Sequence, residues 1–183
     1  MQDIQIKRND PETHVLATEW LQSVTGDYIV AKKEQDKGLH GETAALLLLD
    51  NGTSISDVFP VKKRAAELAE KQINHFRGKG EIKSFWADNA PEIKKACDTL
   101  KIPMDNSPPQ RPKSNGVIEN MVGICKGGAR TNLFQAGLDT RWWALAARHA
   151  MFSRSTRIRQ GTSPWNIDGR KTISEGPRSH LGH

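Results

Sequence analysis

The chain has 183 residues, with 27 Lys or Arg against 21 Asp or Glu, which gives a formal net charge of +6 and a pI of about 9.4. This length suits one folded domain and argues against a second. The sequence has no signal-peptide core and no apolar run near the roughly 20 residues that span a bilayer. We therefore expect an intracellular protein with no membrane segment. The positive charge fits either a polyanionic partner or a solvated basic surface.

The two cysteines, Cys97 and Cys125, lie in apparent helices without a short paired spacing. This pattern predicts reduced, partly buried thiols rather than a disulfide framework. The six histidines show no metal-ligand spacing with these cysteines, so the sequence predicts no zinc site.

The first half of the chain begins with a polar segment and continues with strands. Residues 1–23 are weakly periodic and are predicted to be a linker or the remnant of an upstream segment, with the folded domain over 24–165. A β-rich run covers 26–31, and the continuous apolar run 44–49 is typical of a strand covered on both faces. Turn residues then lead into a strand over 55–61. These three segments predict a meander.

An amphipathic helix is predicted over 63–76, ended by Gly78 and followed by a strand over 81–87. Pro91 is typical of a helix start, and 102–104 can form a fifth strand. The order of elements predicts an α/β fold with a mixed five-stranded sheet flanked by helices, which is the order of the ribonuclease H-like fold.

A loop rich in proline is predicted over 106–115, followed by a helix from Val117 to about Gln135. The glycines at 123, 127 and 128 each cost a helix about 1 kcal/mol relative to Ala, so we expect this helix to bend or fray. A further helix is predicted over about 140–157. The tail, 166–183, is expected to be disordered.

Four segments carry a family resemblance: 84–92 (SFWADNAPE), 112–120 (PKSNGVIEN), 129–144 and 161–166. In this order they resemble the catalytic core of retroviral and retrotransposon integrases, and the last two are similar to the copia-type branch. The resemblance spans about 26–171. It implies divalent-metal-dependent DNA cleavage and strand transfer by part of a Pol polyprotein that acts in the nucleus. It also implies two Mg²⁺ or Mn²⁺ ions, DNA (element ends and target) as partner, a homo-oligomer and no small-molecule cofactor.

The resemblance calls for two Asp and one Glu as catalytic metal ligands. Asp88 and Glu119 match by local motif, although fewer residues lie between them than is usual in the family. Asp27 and Asp50 are both candidates for the first Asp. The family places it centrally on the first strand, which favours Asp27, whereas Asp50 lies in a turn that favours Asp for its own reasons.

Each of the three acids also has a structural interpretation. Asp88 could cap the following helix, Asp27 could be a strand-edge charge, and Glu119 could be a first-turn acid favoured by the helix dipole. Two rival functions stay open: a ribonuclease H-like nuclease, and an inactive relic that binds nucleic acid through its basic face.

Residues expected to contact nucleic acid flank these acids. Lys126 follows Glu119 by almost two helical turns and should share its face, where it could contact a phosphate. Gly116 is expected to allow a tight turn with positive φ, or a close approach of DNA. The full predicted set is Asn89, Arg111, Lys113, Asn115, Gly116 and Lys126.

Overall fold

The computed structural model describes residues 17–31, 33–88, 90–106, 112–158 and 161–167, apart from the side chains of 105, 106, 112–115 and 167. The strands are β1 (Val24–Val30), β2 (Ala44–Asp50), β3 (Ser56–Val61), β4 (Phe85–Ala87) and β5 (Met104–Asn106). The helices are α1 (Ala66–Arg77), α2 (Pro91–Leu100), α3 (Pro112–Ala136), α4 (Trp143–Thr156) and α5 (Pro164–Ile167). Most of the predicted linker and of the predicted tail lies outside the described residues.

The five strands found in the described ranges form one mixed sheet in the order β3-β2-β1-β4-β5. The meander of β1, β2 and β3 is antiparallel, and β4 and β5 are added parallel to β1. This arrangement puts β1 at the centre, between β2 and β4. The predicted mixed α/β, ribonuclease H-like fold class is confirmed.

Two apolar layers cover the faces of the sheet, and β2 contributes to both. Leu46 and Leu48 pack with the residues of α1 and α2, while Leu47 and Leu49 pack with those of α3 and α4. Every residue of β2 is buried, because side chains alternate between two covered faces. The structure thus confirms the interpretation of 44–49 as a strand covered on both faces.

The segment before β1 also belongs to this core. Leu21 is only 2% exposed, and the Trp20 ring lies 5.3 Å from that of Phe76 on α1. Residues 17–23, which fall within the predicted linker, therefore pack against the domain.

Several element boundaries differ from those predicted. Helix α1 begins at Ala66 rather than residue 63, because three consecutive cations at 62–64 would oppose the positive end of the helix dipole. Strand β4 is shorter than 81–87, since its partner β1 begins at Val24, which pairs with Phe85. Pro91 is at the helix start and Gly78 (φ 59°) ends α1, as predicted.

Helix α3 begins five residues earlier than predicted. It starts at Pro112, which loses nothing at a helix start because the first N–H groups have no intrahelical partner. The predicted loop therefore ends before residue 112, and Gly116 is helical and absent from the positive-φ glycines of the described chain. The expectation of a turn at Gly116 was wrong.

The glycines of α3 do not interrupt it, and the helix runs for 25 residues. A Cβ at Gly128 would lie 2.8 Å from the Cβ of Ala150, so the glycine permits a close approach of α4. Helix α4 is also bonded to the sheet edge: the Ser155 hydroxyl accepts from the Ser56 N–H and donates to the Ser56 carbonyl, both at 3.1 Å. These contacts hold α3 and α4 on one face of the sheet.

Both cysteines are free and buried, as predicted. Within the described ranges, no helix has the length and apolar character required to cross a membrane.

Candidate active site

Asp27 lies near the middle of the central strand, on the sheet face covered by α3. Side chains alternate along a strand, so Asp27 and Ile29 lie on the same face, whereas Tyr28 packs on the opposite face in the layer of α1 and α2. The carboxylate is half-buried, and its Oδ1 accepts a hydrogen bond from the Tyr28 N–H at 2.7 Å. A central strand and partial burial do not fit a strand-edge charge.

Asp88 follows β4 directly, on the neighbouring parallel strand. The last pair between β1 and β4 joins Gly26 to Ala87, so Asp27 and Asp88 each stand one residue beyond it. Neighbouring strands lie about 4.8 Å apart, which brings the two positions side by side. Asp88 is exposed, and the N-cap of α2 is Ala90 rather than Asp88.

Glu119 is contributed by α3, directly after Ile118, which is buried against the sheet. It is exposed and lies two turns into the helix, and the first turn of α3 contains no acidic residue. The interpretation of Glu119 as a first-turn acid was therefore wrong, because the helix begins at Pro112.

The electrostatics of Asp27 connect the three acids. Burial is the largest cause that raises its pKa, and the hydrogen bond from Tyr28 opposes it. The charges of Asp88 and Glu119 raise this pKa further, while Lys126 lowers it. Two acids and one lysine thus lie within electrostatic range of Asp27, although they come from separate elements.

The donor set suits a hard divalent cation, which prefers carboxylate oxygens. The carboxylates nevertheless stand apart: in the described part of the chain, no three His, Cys, Asp or Glu side chains are close enough to hold one ion. Mutual repulsion between like charges is a physical reason for such spacing. The role of these acids as metal ligands stays a prediction.

Asp50, the alternative first acid, has a structural role. Its carboxylate is fully buried and accepts from the Leu21 N–H at 2.8 Å and from the Thr53 N–H and hydroxyl at 2.7 Å each. Burial raises its pKa, and these hydrogen bonds oppose the rise. Asp50 therefore holds the turn after β2 and the segment before β1, which favours Asp27 as the first acid of the site.

The predicted nucleic-acid contacts divide into three groups. Lys126 is exposed on α3 within range of Asp27, and Gly116 is exposed at the same helix with open space around it. Lys113 and Asn115 lie in the first turn of α3, but their side chains are outside the described set. Asn89 and Arg111 lie outside the described residues.

A cavity of about 430 Å³ lies on the sheet face that carries Asp27, and Lys126 is one of its lining residues. Sequence analysis missed it, because its walls come from β1, the 3-10 turns Glu34–Asp36 and Thr140–Trp142, α3 and α4, and no local motif marks it. Its lining residues are Ile29, Val30, Ala31, Lys33, Asp36, Cys125, Lys126, Ala129, Arg130, Leu133, Thr140, Trp143 and Ala147.

Comparison with known proteins identifies the fold. No protein-family model and no curated protein matches the sequence. Among solved structures, the catalytic core domain of BIV integrase is similar, with a TM-score of 0.60, 17% identity and coverage of 81% of this chain and 94% of that chain. A chain of the simian T-cell lymphotropic virus intasome in complex with PP2A regulatory subunit B56 gamma has a TM-score of 0.64 and 16% identity. The alignment covers 97% of the present chain and 64% of the intasome chain. This chain therefore has the fold of retroviral integrase catalytic cores.

Proposed function

We propose that the chain is the catalytic core of an integrase that cuts and joins DNA strands, and that it belongs to a Pol polyprotein of a copia-type retrotransposon. One arrangement carries this proposal: Asp27 on β1 and Asp88 after β4 stand side by side on neighbouring parallel strands, and Glu119 belongs to α3, which covers the sheet face that carries Asp27. Exposed or half-buried carboxylates from three separate elements suit a metal-dependent site better than a packing role. Asp88 and Glu119 were selected by local motif, and Asp27 by the place of the first acid in the family that the sequence resembles.

In this proposal Asp27, Asp88 and Glu119 hold two Mg²⁺ or Mn²⁺ ions. When bound, such ions would activate water or a 3′-hydroxyl and stabilise the leaving oxygen at phosphorus. The backbone N–H of Tyr28 orients the Asp27 carboxylate through Oδ1. Lys126, whose charge lowers the pKa of Asp27, would contact a DNA phosphate beside the acids.

The partners follow from the same proposal. DNA is the substrate, as element ends and as target, and the chain acts in the nucleus as a homo-oligomer. The intasome among the similar structures supports DNA binding and oligomerisation. The formal net charge of +6 supports a polyanionic partner.

A second candidate is an inactive relic that still binds nucleic acid. The open spacing of the acids favours it, because no three of the described carboxylates, histidines or cysteines are close enough to hold an ion. A ribonuclease H-like nuclease is the third candidate, and it would hydrolyse strands without joining them.

The test uses a labelled branched oligonucleotide that mimics an integration intermediate, incubated with Mn²⁺ or with EDTA. Glu119→Gln removes one proposed ligand, and Glu67→Gln, an exposed position on α1, is the matched control. We expect metal-dependent strand joining by the parent chain and by Glu67→Gln, with a loss of at least about a hundredfold in Glu119→Gln, as for an electrostatic group at a reacting phosphate.

The outcomes separate the candidates. Cleavage without joining supports the nuclease. DNA binding that is equal in Mn²⁺ and EDTA, without any reaction, supports the relic. Equal joining by the parent chain and Glu119→Gln would refute the assignment of this acid.

A further inference from the structure

The cavity beside the acids has an apolar floor at its deepest part. Ile29 of β1, Ala129 and Leu133 of α3, and Ala147 of α4 line it and are each at most 8% exposed. Its volume of about 430 Å³ lies within the range of cavities that enclose small ligands. The floor offers apolar contact and no hydrogen-bonding side chain.

Cationic side chains stand around this floor. Lys33, Lys126 and Arg130 all line the cavity, and Asp36 is the one carboxylate among the lining residues. The Asp36 Oδ2 accepts a hydrogen bond from the backbone N–H of Lys33 at 3.2 Å. Burial raises the pKa of the Cys125 thiol to about 11, so the thiol adds no negative charge at neutral pH. The cavity therefore favours an anion.

Trp143 gives the cavity an aromatic wall. The residue packs against the layer of α3 and α4, and its Nε1 is buried away from solvent. Trp143 is part of the cavity lining, so its indole offers aromatic contact to a ligand rather than a hydrogen bond.

We infer that this cavity binds a flat aromatic anion: a ring that carries one carboxylate or phosphate. The ring packs on the apolar floor beside Trp143, and the charged group binds Arg130 and the two lysines. The ligand is either a free aromatic acid or the ring and phosphate of a nucleotide. The inference concerns a second site beside the acids and does not depend on the proposed function.

The test is isothermal titration of the full chain with 2-naphthoate, in EDTA so that metal binding at the acids does not contribute. The neutral analogue 2-naphthamide has the same ring without the charge. Charge reversal by Arg130→Glu is compared with Arg148→Glu, an exposed arginine of α4 outside the cavity.

We expect 2-naphthoate to bind the parent chain and Arg148→Glu equally, and to bind Arg130→Glu at least about tenfold more weakly. Lys33→Glu should repeat the loss if Arg130→Glu does not fold. If dAMP displaces 2-naphthoate, the inference holds and the natural ligand is a nucleotide. If 2-naphthoate binds and dAMP does not displace it, the inference holds and the ligand is a free aromatic acid. Equal affinity for 2-naphthamide, no binding at millimolar 2-naphthoate, or equal affinity in all variants would overturn it.

Discussion

Replacing Asp27 by Asn should stabilise the fold while it abolishes the proposed activity. The Asn side chain keeps an oxygen that can accept the Tyr28 N–H, the hydrogen bond that Asp27 makes at 2.7 Å. It removes the buried charge and the repulsion from Asp88 and Glu119, both of which raise the pKa of Asp27. Functional sites commonly carry such a stability cost.

The expected gain is about 1 kcal/mol in the free energy of unfolding at pH 7.5 without metal, within the range for relief of strained functional sites. For a chain of this size that corresponds to about 2 to 4 °C in Tm. The gain depends on pH. Because folding raises the pKa of Asp27 above its ordinary value of 3.8, this group's stabilising contribution is complete below 3.8 and is lost as pH rises through the folded value.

Urea unfolding followed by circular dichroism, at pH 7.5 and again near pH 4, measures both effects. The advantage of Asp27→Asn should shrink at the lower pH, where the parent carboxyl becomes protonated. A variant that is less stable than the parent chain at pH 7.5, or an advantage that does not change with pH, would refute the idea that burial and the neighbouring acids disfavour the charged form of Asp27.

Two further substitutions and one titration test other parts of the structure. Asp50→Ala should cost about 3 kcal/mol in urea unfolding, because it leaves buried donors of Leu21 and the following turn without an acceptor; a cost below 1 kcal/mol would contradict this. Gly26→Ala should cost about 1 to 3 kcal/mol, since its Cβ would lie 2.9 Å from the Phe85 ring, and an unchanged Tm would contradict that contact. Burial, with a smaller effect of a nearby carboxylate, raises the pKa of the single tyrosine, Tyr28, to about 12. Absorbance titration of the folded chain should therefore show no ionisation near pH 10, whereas the chain in urea should ionise there.

The elements that the sequence predicted well are those whose pattern reflects burial. The apolar run of β2 could be interpreted correctly because both faces of that strand are covered. The helix predicted over 63–76 could be recognised for the same reason, because the buried residues of α1, Ala69, Ile73 and Phe76, recur at helical spacing. Each such pattern is contained in a single element, so it can be interpreted without knowledge of the rest of the fold.

Predictions failed where local chemistry supports two conformations. Pro112 and Gly116 are typical of a loop, yet both lie in α3, because proline is tolerated in a first helical turn and packing of the following residues on the sheet outweighs the cost of a glycine. The acids at 27, 88 and 119 could be selected through the family resemblance. The cavity could not, because five elements build its wall and only the assembled fold brings Lys33 to the same cavity as Arg130.

The parallel pairing of β1 with β4 bears on how the chain folds. Val24 pairs with Phe85, roughly 60 residues later, across the whole β2, β3 and α1 segment. Closing so long a loop costs entropy before any contact compensates for it, so such pairings tend to form slowly. Asp27 and Asp88 meet only through this pairing. We therefore expect the acids to come together late, after the meander, and any folding intermediate that lacks β4 to lack the site as well.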